Sequence, residues 1–229
     1  DLHSFPTRRS SDLYSLRFPG MLHAAFVRSP HAHARVKRVD LGPARALPGV
    51  VAAYAASDLP ECGKPIPPSI AAPGGFRPTA QPVFADRMAR YVGEVVAAVV
   101  AADSYAAADG AAAVLVDYEP LPAAGTMERA LESGAPKVFD SWPDNVAGLS
   151  TARVGDPATG FTEAQVIVEA RLGMARVAGV PIETRGIVVE PEGPDGRLTL
   201  WTSSQSPYGL RAVIAGACGL MNRDRKSVV

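Results

Sequence analysis

Residues 90–123 read RYVGEVVAAVVAADSYAAADGAAAVLVDYEPLPA. The first part, RYVGEVVAAVVAAD (90–103), is the strongest buried strand in the chain, built on the apolar run VVAAVVAA at 95–102. SYAAADGAAAVL (104–115) is a helix of small residues. Alanine suits a helix, and small side chains let it sit close to a sheet. VLVDYEPLPA (114–123) is the next strand and ends in prolines. Strand, helix, strand in this order predicts a helix laid on a sheet, an α+β layer.

Upstream, MLHAAFVRS (21–29) reads as a strand and SPHAH as a turn. HARVKRVDL (33–41) alternates apolar and polar residues, with Ala34, Val36 and Val39 on the apolar side, as a half-buried strand does. GPARALPG (42–49) is a short helical turn closed by Pro48-Gly49, and VVAAYAASDLP (50–60) is a strand running into a turn. Residues 61–86 are rich in proline and glycine and predict a long functional or packed surface loop.

Downstream, residues 124–150 read as a linker with one short helix, MERALES (127–133), and a turn at WPDN (142–145). A second unit follows. GDPATGFTEA (155–164) is a loop with a helical turn, and QVIVEARLGMAR (165–176) predicts a long strand. RGIVVEPE (185–192), the turn GPDGR and LTLWTSS (198–204) predict a hairpin. PYGLRAVIAGACGL (207–220) predicts a helix whose apolar face is Leu210, Val213, Ile214 and Ala217. Ser206 is its expected N-cap, and Pro207 stands at the first helical position.

The totals restrict the function. Of 229 residues, 47% are hydrophobic and 20% charged, so the chain can bury a core and is not disordered by composition. Lys+Arg and Asp+Glu are both 23, and a formal net charge of zero argues against bulk electrostatic binding to nucleic acid or an anionic membrane. The longest apolar run falls far short of a membrane span, and residues 1–18 hold no secretory apolar block. Cys62 and Cys218 form no CxxC or Cys–His pattern, which predicts two reduced thiols in the cytoplasm rather than a zinc or iron–sulfur site.

His31 and His33 form an HxH pair that a strand would point to one face, with His23 as the nearest further ligand. Turn and surface packing is the expected role. Glu94, Asp117, Glu119 and Glu183 are scattered, and spacing alone brings no two together as an acid/base pair. Glu94, inside an apolar strand, needs a hydrogen-bond partner and is expected to be structural. GxSxG, Walker A, HExxH and GxGxxG patterns are absent.

Seven segments in order carry a resemblance: FPGMLHAAFVRSPHAHARV (18–36), PGVVAAYAASDLP, RYVGEVVAAVVAAD, VDYEPLPA, the Gly155-Asp156…Phe161 segment, PIETRG (181–186) and LTLWTSSQSP (198–207). Over about residues 14–223 the chain resembles the molybdenum-binding large subunit of the xanthine dehydrogenase/aldehyde oxidase/aerobic carbon monoxide dehydrogenase family, most of all its bacterial carbon monoxide dehydrogenase-like branch. The resemblance implies an a/b hammerhead domain at 14–125, a linker at 126–150 and the start of a molybdopterin-binding domain at 151–223. It implies a molybdenum hydroxylase that acts on aldehydes or N-heterocycles, or oxidises carbon monoxide, with oxygen from water. It further implies the cytosine dinucleotide form of molybdopterin, an FAD-binding medium subunit, a small subunit with [2Fe–2S] clusters, and a dimer of heterotrimers.

Carried over position by position, the family pattern leaves little. Its GGGFG loop and catalytic glutamate are expected beyond residue 229, so no catalytic residue is assigned and no cofactor is expected to bind this stretch stably alone. MARVAGVPIETRG (174–186) holds no glutamine where one branch has a molybdenum contact. Glu183, Arg185 and Gln205 fall in matching motifs and are the pocket-lining candidates. Gly179, Thr184 and Val95 stand where the family often has proline. A non-enzymatic binding or assembly module on the hammerhead fold is the alternative.

Both ends lie outside the resemblance. Thr7–Leu13 and Asp224–Val229 can be encoded by opposite strands of one DNA stretch similar to a sequencing adapter. Residues 1–13, with Arg8-Arg9-Ser10-Ser11, and 224–229 are therefore expected to be non-native and to pack on nothing in particular, not to be a kinase site or signal.

Overall fold

The computed structural model describes residues 13, 16–59, 65–66, 76–77, 79, 81–175, 177–182, 184–192, 197–218 and 227–228. The core is built around the stretch quoted first. Strands β1 (His23–Arg28), β2 (Ala34–Asp40), β3 (Val50–Ala55), β4 (Met88–Ala89), β5 (Val95–Ala101) and β6 (Leu115–Pro120) form two antiparallel sheets of order β1-β5-β3 and β4-β2-β6. Central β5 pairs Val99 with Ala25 on one side and with Ala53 on the other.

Both faces of β5 are covered. Ala97 and Val99 pack with Leu41, Ala44, Ala53, Ala55 and Val114 beneath helices α1 (Gly42–Arg45) and α2 (Ser104–Ala113). On the opposite face Val96 packs with Val36 and Ala89 of the second sheet and with Ala85, ahead of β4. Val39 and Val116 touch both clusters and join the layers. The expected α+β arrangement, helix on sheet, is therefore present.

Small residues set the spacing. A Cβ on Gly110 would lie 2.7 Å from Val99 Cγ1 and 3.0 Å from Val50 Cγ2, so α2 rests on the sheet through bare backbone. The helix begins at Asp103, whose Oδ1 accepts from the N–H groups of Tyr105 (2.9 Å) and Ala106 (2.8 Å). It ends at Ala113, one residue before Val114 turns extended and enters the core.

The expected linker is a packed connection. Helix α3 (Met127–Leu131) starts at Thr126, whose Oγ1 accepts from Arg129 N–H at 3.2 Å. The Asn145 amide donates to the carbonyls of Ala130 and Pro136 and accepts from Val138 N–H. Phe139 and Trp142 stack with centroids 4.5 Å apart. Arg90 covers Phe139, and Arg77 covers Trp142. Arg77 also pairs with Asp144 at 2.5 Å, which ties the end of the 61–86 loop to this connection.

The second unit holds helix α4 (Pro157–Glu163), strands β7 (Ile187–Glu192) and β8 (Arg197–Thr202) as the expected hairpin, and helix α5 (Pro207–Ala217). Leu210, Val213, Ile214 and Ala217 are half-buried, and Ala215, outside the expected face, is buried. Ser206 stands at the N-cap with no side-chain cap bond; its carbonyl accepts from Leu210 N–H.

Two expectations fail here. The long strand expected at 165–176 does not form: its described residues are neither helix nor strand and stay exposed. A strand is held by hydrogen bonds to a neighbour, and no described strand runs beside it. The ends are also better anchored than expected where described. Ser227–Val228 form strand β9, parallel to Leu200–Trp201, and Leu13 lies 3.4 Å from where a Gly186 Cβ would sit. Cys62 and most of the turn 193–197 lie outside the described residues.

Candidate cofactor-binding hairpin

The hairpin brings together the two described residues of the candidate set. Ile187 pairs with Thr202 as the last rung of the ladder, and Thr202 Oγ1 donates to the Gly186 carbonyl at 2.9 Å to close it. Arg185 precedes that rung and Gln205 follows it, so both leave the same end of the hairpin, and both are exposed. Glu183 lies outside the described residues. Gln205 is also two residues ahead of α5, and Ser206 N–H donates to Ser204 Oγ at 3.1 Å as the chain turns into the helix. An exposed guanidinium and an exposed amide flank this end of the ladder, and the amino end of α5 follows; each is a group that can donate to an anionic group such as a phosphate. The described residues present that edge to solvent and do not enclose it.

The hairpin is held from behind. Phe18 packs on Trp201 with ring centroids 4.9 Å apart, so the stretch leading into β1 braces β8. Both residues sit in the family-like segments, and an aromatic in each was the available signal; neither was singled out as a support.

The other candidates do not converge on this edge. His31 packs edge-on against Tyr118 at 5.0 Å, and His33 Nδ1 lies 3.0 Å from the Pro122 carbonyl, so both rings have protein partners. Among the described residues no three His, Cys, Asp or Glu side chains gather as a metal site. Glu94 is 3% exposed, and its carboxylate accepts from Arg90 N–H, the structural role expected of it. Glu119 faces Lys37 (3.4 Å) and Arg35 (4.0 Å) on an open surface. Asp117 is exposed.

Shifted titrations also lie elsewhere. Burial raises the Tyr91 phenol, with the Glu94 charge adding to it and Arg28 opposing. Burial raises Tyr118, with Ser29 opposing. Asp156, at the start of α4, is held below the usual carboxylate range, first by the Thr159 hydroxyl. A cavity of about 290 Å³ lined by Pro122, Arg129, Glu132 and Ser133 shares no residue with the hairpin edge.

Comparison with known proteins follows this geometry. The profile for the aldehyde oxidase and xanthine dehydrogenase a/b hammerhead domain matches residues 13–122, the two-sheet unit. The profile for the molybdopterin cofactor-binding domain matches 138–226, which includes the hairpin and its edge. The chain belongs to the xanthine dehydrogenase and aldehyde oxidase family of molybdenum-binding large subunits.

Within that family it is 37% identical over 219 residues to the carbon monoxide dehydrogenase large chain of Afipia carboxidovorans, covering 90% of this chain and 26% of that one. It is 34% identical over 223 residues to the nicotine 6-hydroxylase large subunit of Paenarthrobacter nicotinovorans, covering 97% and 27%. The crystal structure of quinoline 2-oxidoreductase from Pseudomonas putida 86 superposes with a TM-score of 0.87 at 35% identity, over 96% of this chain and 28% of that one. The chain thus spans about a quarter of the length of these relatives. No described helix is long and apolar enough to cross a membrane.

Proposed function

We propose that this chain is part of the large subunit of a molybdopterin-dependent oxidoreductase that hydroxylates an aldehyde or N-heterocycle carbon, or oxidises carbon monoxide. The observation that carries the reading is the pair of matches in family order, a hammerhead domain at 13–122 and a molybdopterin cofactor-binding domain at 138–226. The cofactor is molybdopterin in its cytosine dinucleotide form, and it supplies two-electron oxidation with oxygen drawn from water. Electrons leave through [2Fe–2S] clusters and FAD on a small and a medium subunit, in a dimer of heterotrimers in the cytoplasm.

Glu183, Arg185 and Gln205 line the cofactor pocket, with Arg185 and Gln205 donating to its anionic groups from the hairpin end. This stretch is not catalytic alone; the remaining three quarters of a relative-length subunit complete the pocket and supply the base. The test compares two preparations made with the cofactor machinery. The 229-residue chain is expected to carry no molybdenum by metal analysis. A relative-length subunit with its two partners is expected to carry about one molybdenum per large subunit, release cytosine nucleotide on acid hydrolysis, and reduce a dye with a substrate of the stated classes. Stoichiometric molybdenum on the short chain would overturn its incompleteness, and a metal-free complex would overturn the cofactor assignment.

A further inference from the structure

Among the described residues the hairpin that carries Arg185 and Gln205 shares no ladder with the two-sheet unit; its own sheet runs β7-β8-β9. A two-stranded ribbon is marginal by itself, and its ends open first. The end that carries the two candidates is closed by the Ile187–Thr202 rung and by the Thr202 hydroxyl on the Gly186 carbonyl. Trp201 is the preceding residue of β8 and stands opposite Val188. Alternation puts its ring and the Thr202 hydroxyl on opposite faces of the strand.

Phe18 meets that ring, with centroids 4.9 Å apart and planes at 38°. Phe18 is itself held. Its carbonyl accepts from Met21 N–H at 3.1 Å across a turn. Gly20 sits in that turn at φ 72° with open space around an added Cβ, so the backbone, not packing, requires glycine there. The chain then enters β1, where His23, Ala24 and Ala25 pair with Ala101, Val100 and Val99 of the central strand β5. Packed contacts therefore run from the core of the two-sheet unit, through one aromatic pair, to the residue beside the closing rung.

We propose that Phe18 is a positioning residue for the cofactor site: through Trp201 it fixes the hairpin end and so sets Arg185 and Gln205 to donate to the anionic groups of the cofactor. Phe18 acts through the hairpin and not by contact with the cofactor. Donors held in place before binding lose less freedom on binding, so an unbraced end holds an anion less tightly. This proposal rests on the cofactor reading above.

Hydrogen exchange and metal retention test it together. In the 229-residue chain, Phe18→Ala is expected to speed exchange of the protected amides of 187–189 and 200–202 about ten-fold, while those of β5 keep the parent rate. Phe18→Tyr keeps the ring and is expected to keep the parent rate in the hairpin as well. Phe26→Ala, which removes a 52% exposed aromatic of β1, is expected to leave both regions unchanged. Should the alanine variant not fold, Phe18→Leu gives the same reading with a smaller acceleration. In a relative-length subunit with its two partners, Phe18→Ala is expected to lose molybdenum several-fold faster than the parent, and Phe18→Tyr at the parent rate. Unchanged hairpin exchange, or equal acceleration in β5, overturns the brace. Faster hairpin exchange with molybdenum held at the parent rate overturns the positioning role. A metal-free parent complex sinks the cofactor reading and the positioning role with it, and the exchange result then decides separately whether the brace stands.

Discussion

Two apolar runs in this chain meet opposite fates. VVAAVVA at 95–101 is the central strand of a sheet, with a neighbour on each edge and a packed layer on each face. Among the described residues VIVEARLGM at 166–174 has none of these, and its apolar side chains are exposed. Burying a valine or leucine contributes roughly 1.5–3 kcal/mol, and among the described residues the first of these two runs collects it and the second does not. Local composition sets the tendency to be a strand; neighbours distant in sequence decide whether it becomes one.

Glycine substitutions give the largest expected contrast. Gly110→Val would drive side-chain atoms into Val99 and Val50, where even a Cβ lies at 2.7 and 3.0 Å. We expect a loss of about 3 kcal/mol, the upper end for overpacking, together with a lower midpoint in urea. An unchanged midpoint would mean that α2 can lift from the sheet, and the packed region would be looser than described. Next, Asn145→Ala removes three hydrogen bonds that hold the connection between the regions. The expected cost is about 1–2 kcal/mol, with faster proteolysis near Arg129 as the local readout. Smaller again, Asp103→Ala takes the cap from α2 for about 1 kcal/mol, seen as a lower Tm. Asp103→Asn is expected to restore most of it.

A pH effect follows in size. Asp58 accepts from Ala55 N–H at 2.9 Å and pairs with Arg45 at 3.2 Å, and the first of these does most to hold its carboxyl below the ordinary value of 3.8. A carboxyl depressed by folding adds stability above its unfolded pKa, and that contribution is lost as pH falls through the lower, folded value. Asp58→Asn should therefore be less stable than the parent at neutral pH, with the gap closing below about pH 4. A gap that persists once the carboxyl is protonated in both states would show that the donor NH2 of Asn, not the missing charge, disturbs the turn.

How much of this was legible in the sequence follows the same division. The two-sheet unit was readable because its signals are local: the run at 95–102, the small-residue helix after Asp103, the alternation at Ala34, Val36 and Val39. The hairpin was readable from two short apolar runs around a glycine-rich turn. The packed connection was not, because Asn145, Arg77 and Trp142 take their meaning from carbonyls and rings far away in sequence. Of the candidate site, the common origin of Arg185 and Gln205 at one hairpin end follows from the register, which the sequence does not state. The strand at 165–176 was misjudged for the same reason: alternation shows a buried face without showing whether this chain holds the partner.

The smallest effect is the most discriminating. A Cβ on Gly173 meets nothing within 4 Å, in contrast to Gly110. Gly173→Val in the 229-residue chain should leave the urea midpoint within about 0.5 kcal/mol of the parent, the range expected of a surface change away from any cap or cluster. A loss comparable to that of Gly110→Val would show that the segment is packed within this chain, and the contrast between the two apolar runs would collapse. A near-zero effect paired with a large one at Gly110 would place the cooperative core in the two-sheet unit and leave 166–174 outside it.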